Sequence, residues 1–212
     1  MRANPTPIVS TSTPFPTQNA TILYSDDFSS IDSGWSRQKK DGYLLSYSDG
    51  RYLVIAAARP KGSITIGQPG KVFDNAVIAV DVQIPRINND NANAVIAWRI
   101  QDPKNYYALL LSSDGYVSVR VLEEGQWKNT LYDWTKPENT SPQADTYHVD
   151  IAYNKSKSTI FINGTLLTSI TDTQYEKGDI GLGSLAGADK TAEAIFDNIT
   201  VYDVTSWQPP TK

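Results

Sequence analysis

The sequence predicts an all-β domain built as two antiparallel sheets packed face to face. Three observations predict it. From about Thr21 to Thr205 apolar residues recur with a period of two, no stretch sustains the i, i+3, i+4 spacing of a helix, and turn signals separate the alternating runs at short intervals. A chain of 212 residues suits one such domain, because single all-β domains often run to roughly 200–250 residues.

Asp49-Gly50 marks an early hairpin turn, since both residues tolerate the positive φ that tight turns require. Val77 to Ile84 then alternates, with Ile78, Val80, Val82 and Ile84 on a core face and Ala79, Asp81 and Gln83 on a polar one. The segments NAVIAWRI, NYYALLLSS, GYVSVRVL and QWKNTLY form a continuous meander, joined at Asp102-Pro103-Lys104-Asn105, at Asp114-Gly115 and beside Gly125. Its third strand turns Val117, Val119 and Val121 inward and Tyr116, Ser118 and Arg120 outward. His148 to Tyr153 repeats the pattern with Val149, Ile151 and Tyr153, and Asn163-Gly164 supplies a further hairpin turn. The count is about a dozen strands.

The ends differ in kind. Residues 1–20 form a Pro/Thr/Ser-rich linker, with four of the chain's twelve prolines between Asn4 and Gln18, a composition that extends as polyproline II and buries no core. The domain occupies residues 21–205, and residues 206–212 are read as a loose tail. Met1-Arg2 opens onto no apolar run of signal-peptide length, so the chain is either cytosolic or a mature fragment. The linker favours an extracytoplasmic or cell-surface domain held on a stalk.

Composition removes several function classes. With 19 Lys and Arg against 23 Asp and Glu, the net charge of −4 argues against phosphate backbones and anionic lipid as partners. The absence of cysteine removes disulfides, thiolate nucleophiles and zinc ribbons, and a single histidine removes any site that needs two imidazoles. Carboxylates, amides, hydroxyls and aromatic rings are left.

Four segments, in order, carry a family resemblance: Asp26-Asp27-Phe28 with Gly34-Trp35; Trp98 to Asp102 leading into Asn105-Tyr106-Tyr107; Phe161-Ile162-Asn163-Gly164; and Gly178 to Leu182 with Phe196 to Val201. Together they resemble the concanavalin A-like lectin/glucanase jelly rolls, and within them bacterial domains related to family-16 glycoside hydrolases, including 3-keto-disaccharide hydrolase-like domains. The resemblance implies a two-sheet antiparallel jelly-roll sandwich that binds glycans in many relatives and processes them in fewer. It also implies a structural calcium in several relatives. Laminarinase-type relatives use a strand of the form Glu-x-Asp-x-(x)-Glu. The five Glu here, at 123, 124, 138, 176 and 193, do not form it.

Three constellations follow as candidates. Sugar rings pair an apolar C–H face with a rim of hydroxyls, so rings bordered by polar groups suit them. Arg99, Tyr106, Tyr107, Tyr116, Arg120, Asp81 and Trp127 are the candidate ligand residues, with Trp98 expected in the core and Arg99 facing outward. Tyr106 and Tyr107 are consecutive and must point to opposite sides. The competing reading is that these rings simply pack the core. Asp26, Asp27 and Asp197 are the candidate metal ligands, oxygen donors suited to a hard cation such as calcium. Asp81, His148 and Asp150 lie on polar strand faces, where His148 and Asp150, two residues apart, project the same way; the plainer reading is exposed acids and a surface histidine. The leading function is a non-catalytic carbohydrate-binding module displayed at a bacterial cell envelope. The alternatives are a glycoside hydrolase-like or keto-sugar-processing enzyme, and a structural or protein-interaction domain.

Overall fold

The computed structural model describes residues 20–85, 92–138 and 146–208. The linker, except for residue 20, and the last four residues lie outside these. Fifteen strands run in chain order as β1 Ile22–Asp26, β2 Gln38–Lys40, β3 Tyr43–Ser48, β4 Arg51–Ala56, β5 Ser63–Gly67, β6 Ala76–Gln83, β7 Asn93–Asp102, β8 Asn105–Ser112, β9 Val117–Glu123, β10 Gln126–Thr135, β11 Thr146–Asn154, β12 Lys157–Ile162, β13 Thr165–Thr171, β14 Asp179–Ala186 and β15 Ala192–Asp203. A nine-stranded sheet has the order β13-β12-β11-β6-β15-β4-β3-β2, with β1 also paired to β15. A six-stranded sheet has the order β10-β9-β8-β7-β14-β5. All pairings are antiparallel, and the meander from β7 to β10 holds.

Turn chemistry explains the hairpins. Asp49-Gly50, Asn163-Gly164 and Glu124-Gly125 each place two successive residues at positive φ, the backbone twist that matches paired strands. The core lies between the sheets. Ile78, Val80, Val82, Val149, Ile151 and Ile160 from the larger sheet meet Ile96, Trp98, Leu109, Leu111, Val117, Val119 and Val121 from the smaller one. Burial of each such side chain contributes about 1.5–3 kcal/mol.

Two of the register shifts, in β7 and β15, overturn expectations. In β7 the register slips after Trp98, and Arg99 takes φ +53°. Trp98 and Arg99 therefore both turn inward while Ile100 joins the outer face. Arg99 is 1% exposed, not outward-facing. Its guanidinium lies 5.2 Å from the centre of the Tyr153 ring and donates to the carbonyls of Tyr175 at 2.9 Å and Lys155 at 2.5 Å. Burial pulls its pKa down. Gly178 makes the bulge possible, because a Cβ there would stand 2.5 Å from the Arg99 carbonyl carbon and the Ile100 oxygen.

The second bulge lies in β15 between Asp197 and Thr200, with Asn198 at φ +52°. It lets Phe196 and Ile199 both face the core and sends Asp197 to the outer face.

The tail is not loose throughout. Trp207, 8% exposed, packs edge-on against Phe161 at 5.8 Å over Val77 and Ala152, on the outer face of the larger sheet. Ser206 Oγ accepts from the Thr21 amide at 2.8 Å, which ties the two ends of the domain together.

A charged group taken from water and held by carbonyls is costly to remove singly, because its partners are stranded. Replacing Arg99 with Ala is expected to lower unfolding free energy by about 3 kcal/mol, measured by urea denaturation.

Candidate functional site

The outer face of the six-stranded sheet is apolar in its middle. Val95, Ala97, Ile100, Tyr106, Ala108, Leu110 and Leu122 form a second buried layer there, alternating with the core residues of the same strands. Polar and aromatic groups gather at the β9–β10 end. Trp127 lies opposite Leu122 and meets the Tyr106 ring edge-on at 6.3 Å. Tyr116, Trp127 and Trp134 are 41%, 36% and 38% exposed, the aromatic members of the exposed large apolar residues among those described. Arg120 stands beside Trp134: its Nε donates to Ser118 Oγ at 3.1 Å, its guanidinium lies 5.8 Å from the centre of the Trp134 ring, and Asp133 is 4.0 Å away. The structure thus gathers Tyr106, Tyr116, Arg120 and Trp127 on one face.

The other candidate ligand residues lie elsewhere. Arg99 is inside the sandwich, as described. Tyr107 is in the core, stacked on Trp98 at 5.5 Å, with its hydroxyl donating to Asp172 and accepting from the Tyr175 amide. Asp81 belongs to the opposite sheet. Tyr106 itself is 1% exposed, so it serves as floor under Trp127, and its buried hydroxyl has no partner among the described residues. Burial raises its pKa.

On the outer face of the nine-stranded sheet, Asp81 and His148 are cross-strand partners, and Asp150 follows two residues along β11. His148 Nδ1 is 2.7 Å from Asp81 Oδ1, and Nε2 is 3.5 Å from Asp150 Oδ1. Asn198 Nδ2 donates to Asp81 Oδ2 at 3.0 Å. The His148 amide donates to Asn163 Oδ1 at 2.8 Å, so the Asn-Gly turn fixes the ring's backbone. The expected surface acids are in fact buried, Asp81 at 7% and Asp150 at 1% exposed. Burial would drive the imidazole to its neutral form, but the two carboxylates outweigh it and push the pKa up to about 10. The carboxyls of Asp150 and Asp81 favour the protonated ring at neutral pH.

The three candidate metal ligands do not converge. Asp26 accepts from the Phe28 amide at 2.8 Å and from Tyr24 Oη at 3.3 Å, and Tyr24 in turn accepts from Trp35 Nε1 at 2.8 Å. Asp27 closes a turn onto Ser29, with Oδ1 accepting from its amide at 3.0 Å and its hydroxyl at 2.7 Å. Asp26 and Asp27 line an open hollow with Ser25, Asn198, Ile199 and Thr200. Asp197 is not among its lining residues, and its pKa is raised by burial and by the nearby charges of Asp81 and Asp27. Among the described residues no group of three or more His, Cys, Asp or Glu is disposed to hold a metal ion.

Comparison with known proteins fits this geometry. The profile of the 3-keto-alpha-glucoside-1,2-lyase-like domain matches residues 25–202. The chain belongs to that family. Among solved structures, the carbohydrate binding module CBM66 from Bacillus subtilis is similar over 87% of this chain and 97% of its own, at 18% identity and a TM-score of 0.63. A mixed-linkage glucan family-16 glycoside hydrolase from Bacteroides ovatus, in complex with a G4G4G3G product, matches over 85% of this chain and 100% of its own, at 11% identity and a TM-score of 0.60. The catalytic domain of an endo-1,3-β-glucanase (laminarinase) from Thermotoga petrophila matches over 87% and 98%, at 9% identity and a TM-score of 0.61. At such identities the likeness shows the fold, a concanavalin A-like sandwich. No curated protein sequence matches the chain.

Sequence reasoning missed Trp134 and Asn198 as site residues. Three register shifts in β10 erase the period-two signal that would have assigned Trp134 to a face. The β15 bulge likewise hides that Asn198 reaches Asp81. The paired signals Asn198-Ile199-Thr200 and Phe196-Asp197 carry no phase once an extra residue is inserted.

His148 has a folded-state pKa of about 10 against an ordinary 6.5, so its contribution is fully present below pH 6.5 and is lost as pH rises through 10. Stability measured by urea melts is expected to fall between those values, and His148→Asn is expected to flatten that slope. Chelation with EDTA is expected to leave the thermal midpoint unchanged, as read by circular dichroism; a fall of several degrees would restore a calcium site.

Proposed function

We propose that this domain is a non-catalytic carbohydrate-binding module whose polysaccharide ligand lies across the β9–β10 end of the six-stranded sheet's outer face. The observation that carries this reading is the row of three exposed rings along β9–β10, Tyr116, Trp127 and Trp134, with Arg120 over the Trp134 ring. Rings present flat apolar surface to sugar C–H groups, and the guanidinium supplies donors to hydroxyls. The Pro/Thr/Ser-rich linker suits display outside the cytoplasm at a bacterial envelope. Among the described residues no helix is long and apolar enough to cross a membrane.

The chemistry of this face supports binding over turnover. Glycoside hydrolysis takes two carboxyl groups about 5–5.5 Å apart in retaining enzymes, or about 6.5–9.5 Å in inverting ones. The middle of the face is instead filled by the buried side chains of Val95, Ala97, Ala108, Leu110 and Ser118, with Arg120 half-buried beside them.

One observation favours a second reading, a keto-sugar-processing enzyme like the lyase for which the family is described. Asp81, His148 and Asp150 form a buried acid–histidine–acid group, and Asp150 Oδ2 has no partner among the described residues. Against it, a histidine that holds its proton to about pH 10 is a poor base at neutral pH.

Affinity electrophoresis against β-glucans, xylans and peptidoglycan fragments separates the two. Binding is expected to fall at least tenfold in Trp127→Ala and Arg120→Ala and to be unchanged in Asp150→Asn. Uniform silence on the gels, together with turnover of a 3-keto-α-glucoside that Asp150→Asn abolishes, would reverse the order.

A further inference from the structure

Two of the three exposed rings already have a cation on them. Arg120 lies over Trp134, and the Lys136 ammonium lies 5.8 Å from the centre of the Tyr116 ring. Lys136 lies close to the Asp114-Gly115 turn, where a Cβ on Gly115 would stand 3.8 Å from its Cε. Trp127 differs, since its aromatic contact is the edge of Tyr106.

The acids of this rim do little to neutralise these cations. Asp133 is 4.0 Å from Arg120 with its side chain 86% exposed, and its Oδ1 also accepts from the Trp134 amide at 2.8 Å. Such exposed pairs are weak. Asp114 is held by the Ser112 hydroxyl, and Glu123 accepts from Gln174 Nε2 at 2.8 Å. Among the described residues no carboxylate lies within ion-pairing distance of Lys136. On a chain of net charge −4, two cations of this rim, Arg120 and Lys136, stand directly beside apolar rings.

We infer that the polysaccharide is acidic, a uronate-containing chain whose carboxylates meet Arg120 and Lys136 while a neighbouring sugar stacks on Trp127. The inference rests on the carbohydrate-binding reading above and narrows its ligand class. A guanidinium already oriented by Ser118 and a ring face offers a carboxylate parallel N–H donors at little further ordering cost.

The test is affinity electrophoresis of the intact chain in gels containing polygalacturonate, mixed-linkage β-glucan or dextran sulfate, at about 10 mM and about 1 M salt, between which the screening length falls roughly tenfold. Polygalacturonate is expected to retain the protein most strongly, with at least a tenfold loss at high salt. The double variant R120Q/K136Q is expected to lose that preference by tenfold or more, and W127A to lose retention in every gel. Circular dichroism melts verify that each variant is folded. Equal or stronger retention by β-glucan, insensitive to salt but dependent on Trp127, would overturn the acidic ligand and leave the binding module standing. Equal retention by dextran sulfate would also overturn it, as charge without sugar recognition. Silence in all three gels would remove this inference, and silence across the wider glycan panel would remove the binding reading with it.

Discussion

A strand in a packed sandwich sends alternate residues to opposite faces, and only an inserted residue resets that alternation. The whole distribution of chemistry in this domain depends on it. Along β6, β8, β9 and β11 the alternation runs unbroken, so one set of side chains seals the core and the other is presented outward. At the β7 and β15 bulges it resets. The first reset buries an arginine between the sheets, and the second frees Asn198 to brace Asp81.

The consequence is a separation of functions between the two outer faces. The larger sheet carries the network of Asp81, His148 and Asp150, an imidazole held between two carboxyls, which ties β6 to β11. The smaller sheet carries an apolar floor edged by rings and Arg120. The acid–histidine group and the exposed rings therefore lie on opposite sides of the core. A site that combined them would need both on one face, and that is the physical reason for reading the aromatic side as a place of attachment.

Where the alternation is regular, the sequence was legible. The valines of β9, the inward Ile78, Val80 and Val82, the hairpin turns and the meander all follow from periodicity and turn chemistry. The shared face of His148 and Asp150 follows from their spacing, and so does the opposition of Tyr106 and Tyr107. The rest was illegible because a bulge leaves no local signature. Arg99 reads as outward when Trp98 is inward, Asp197 reads as in phase with Ile199, and Trp134 is set adrift by three slips in β10. Nor does periodicity reveal which sheet a strand joins, so Asp81 and Arg120 looked like neighbours although they stand on different sheets. Trp207 was lost for a related reason: a lone ring beyond the last alternating run gives no sign that Phe161 awaits it.

The central claim is that ligand engages the β9–β10 end of the smaller sheet. The five tryptophans, at 35, 98, 127, 134 and 207, offer five indole N–H reporters spread over the core, both outer faces and the tail. Titration of a retained oligosaccharide into labelled protein, followed by two-dimensional NMR of these resonances, is the most direct measurement. The account predicts shifts confined to Trp127 and Trp134, with Trp35, Trp98 and Trp207 unmoved. Shifts at the His148 ring with both β10 indoles silent would contradict it.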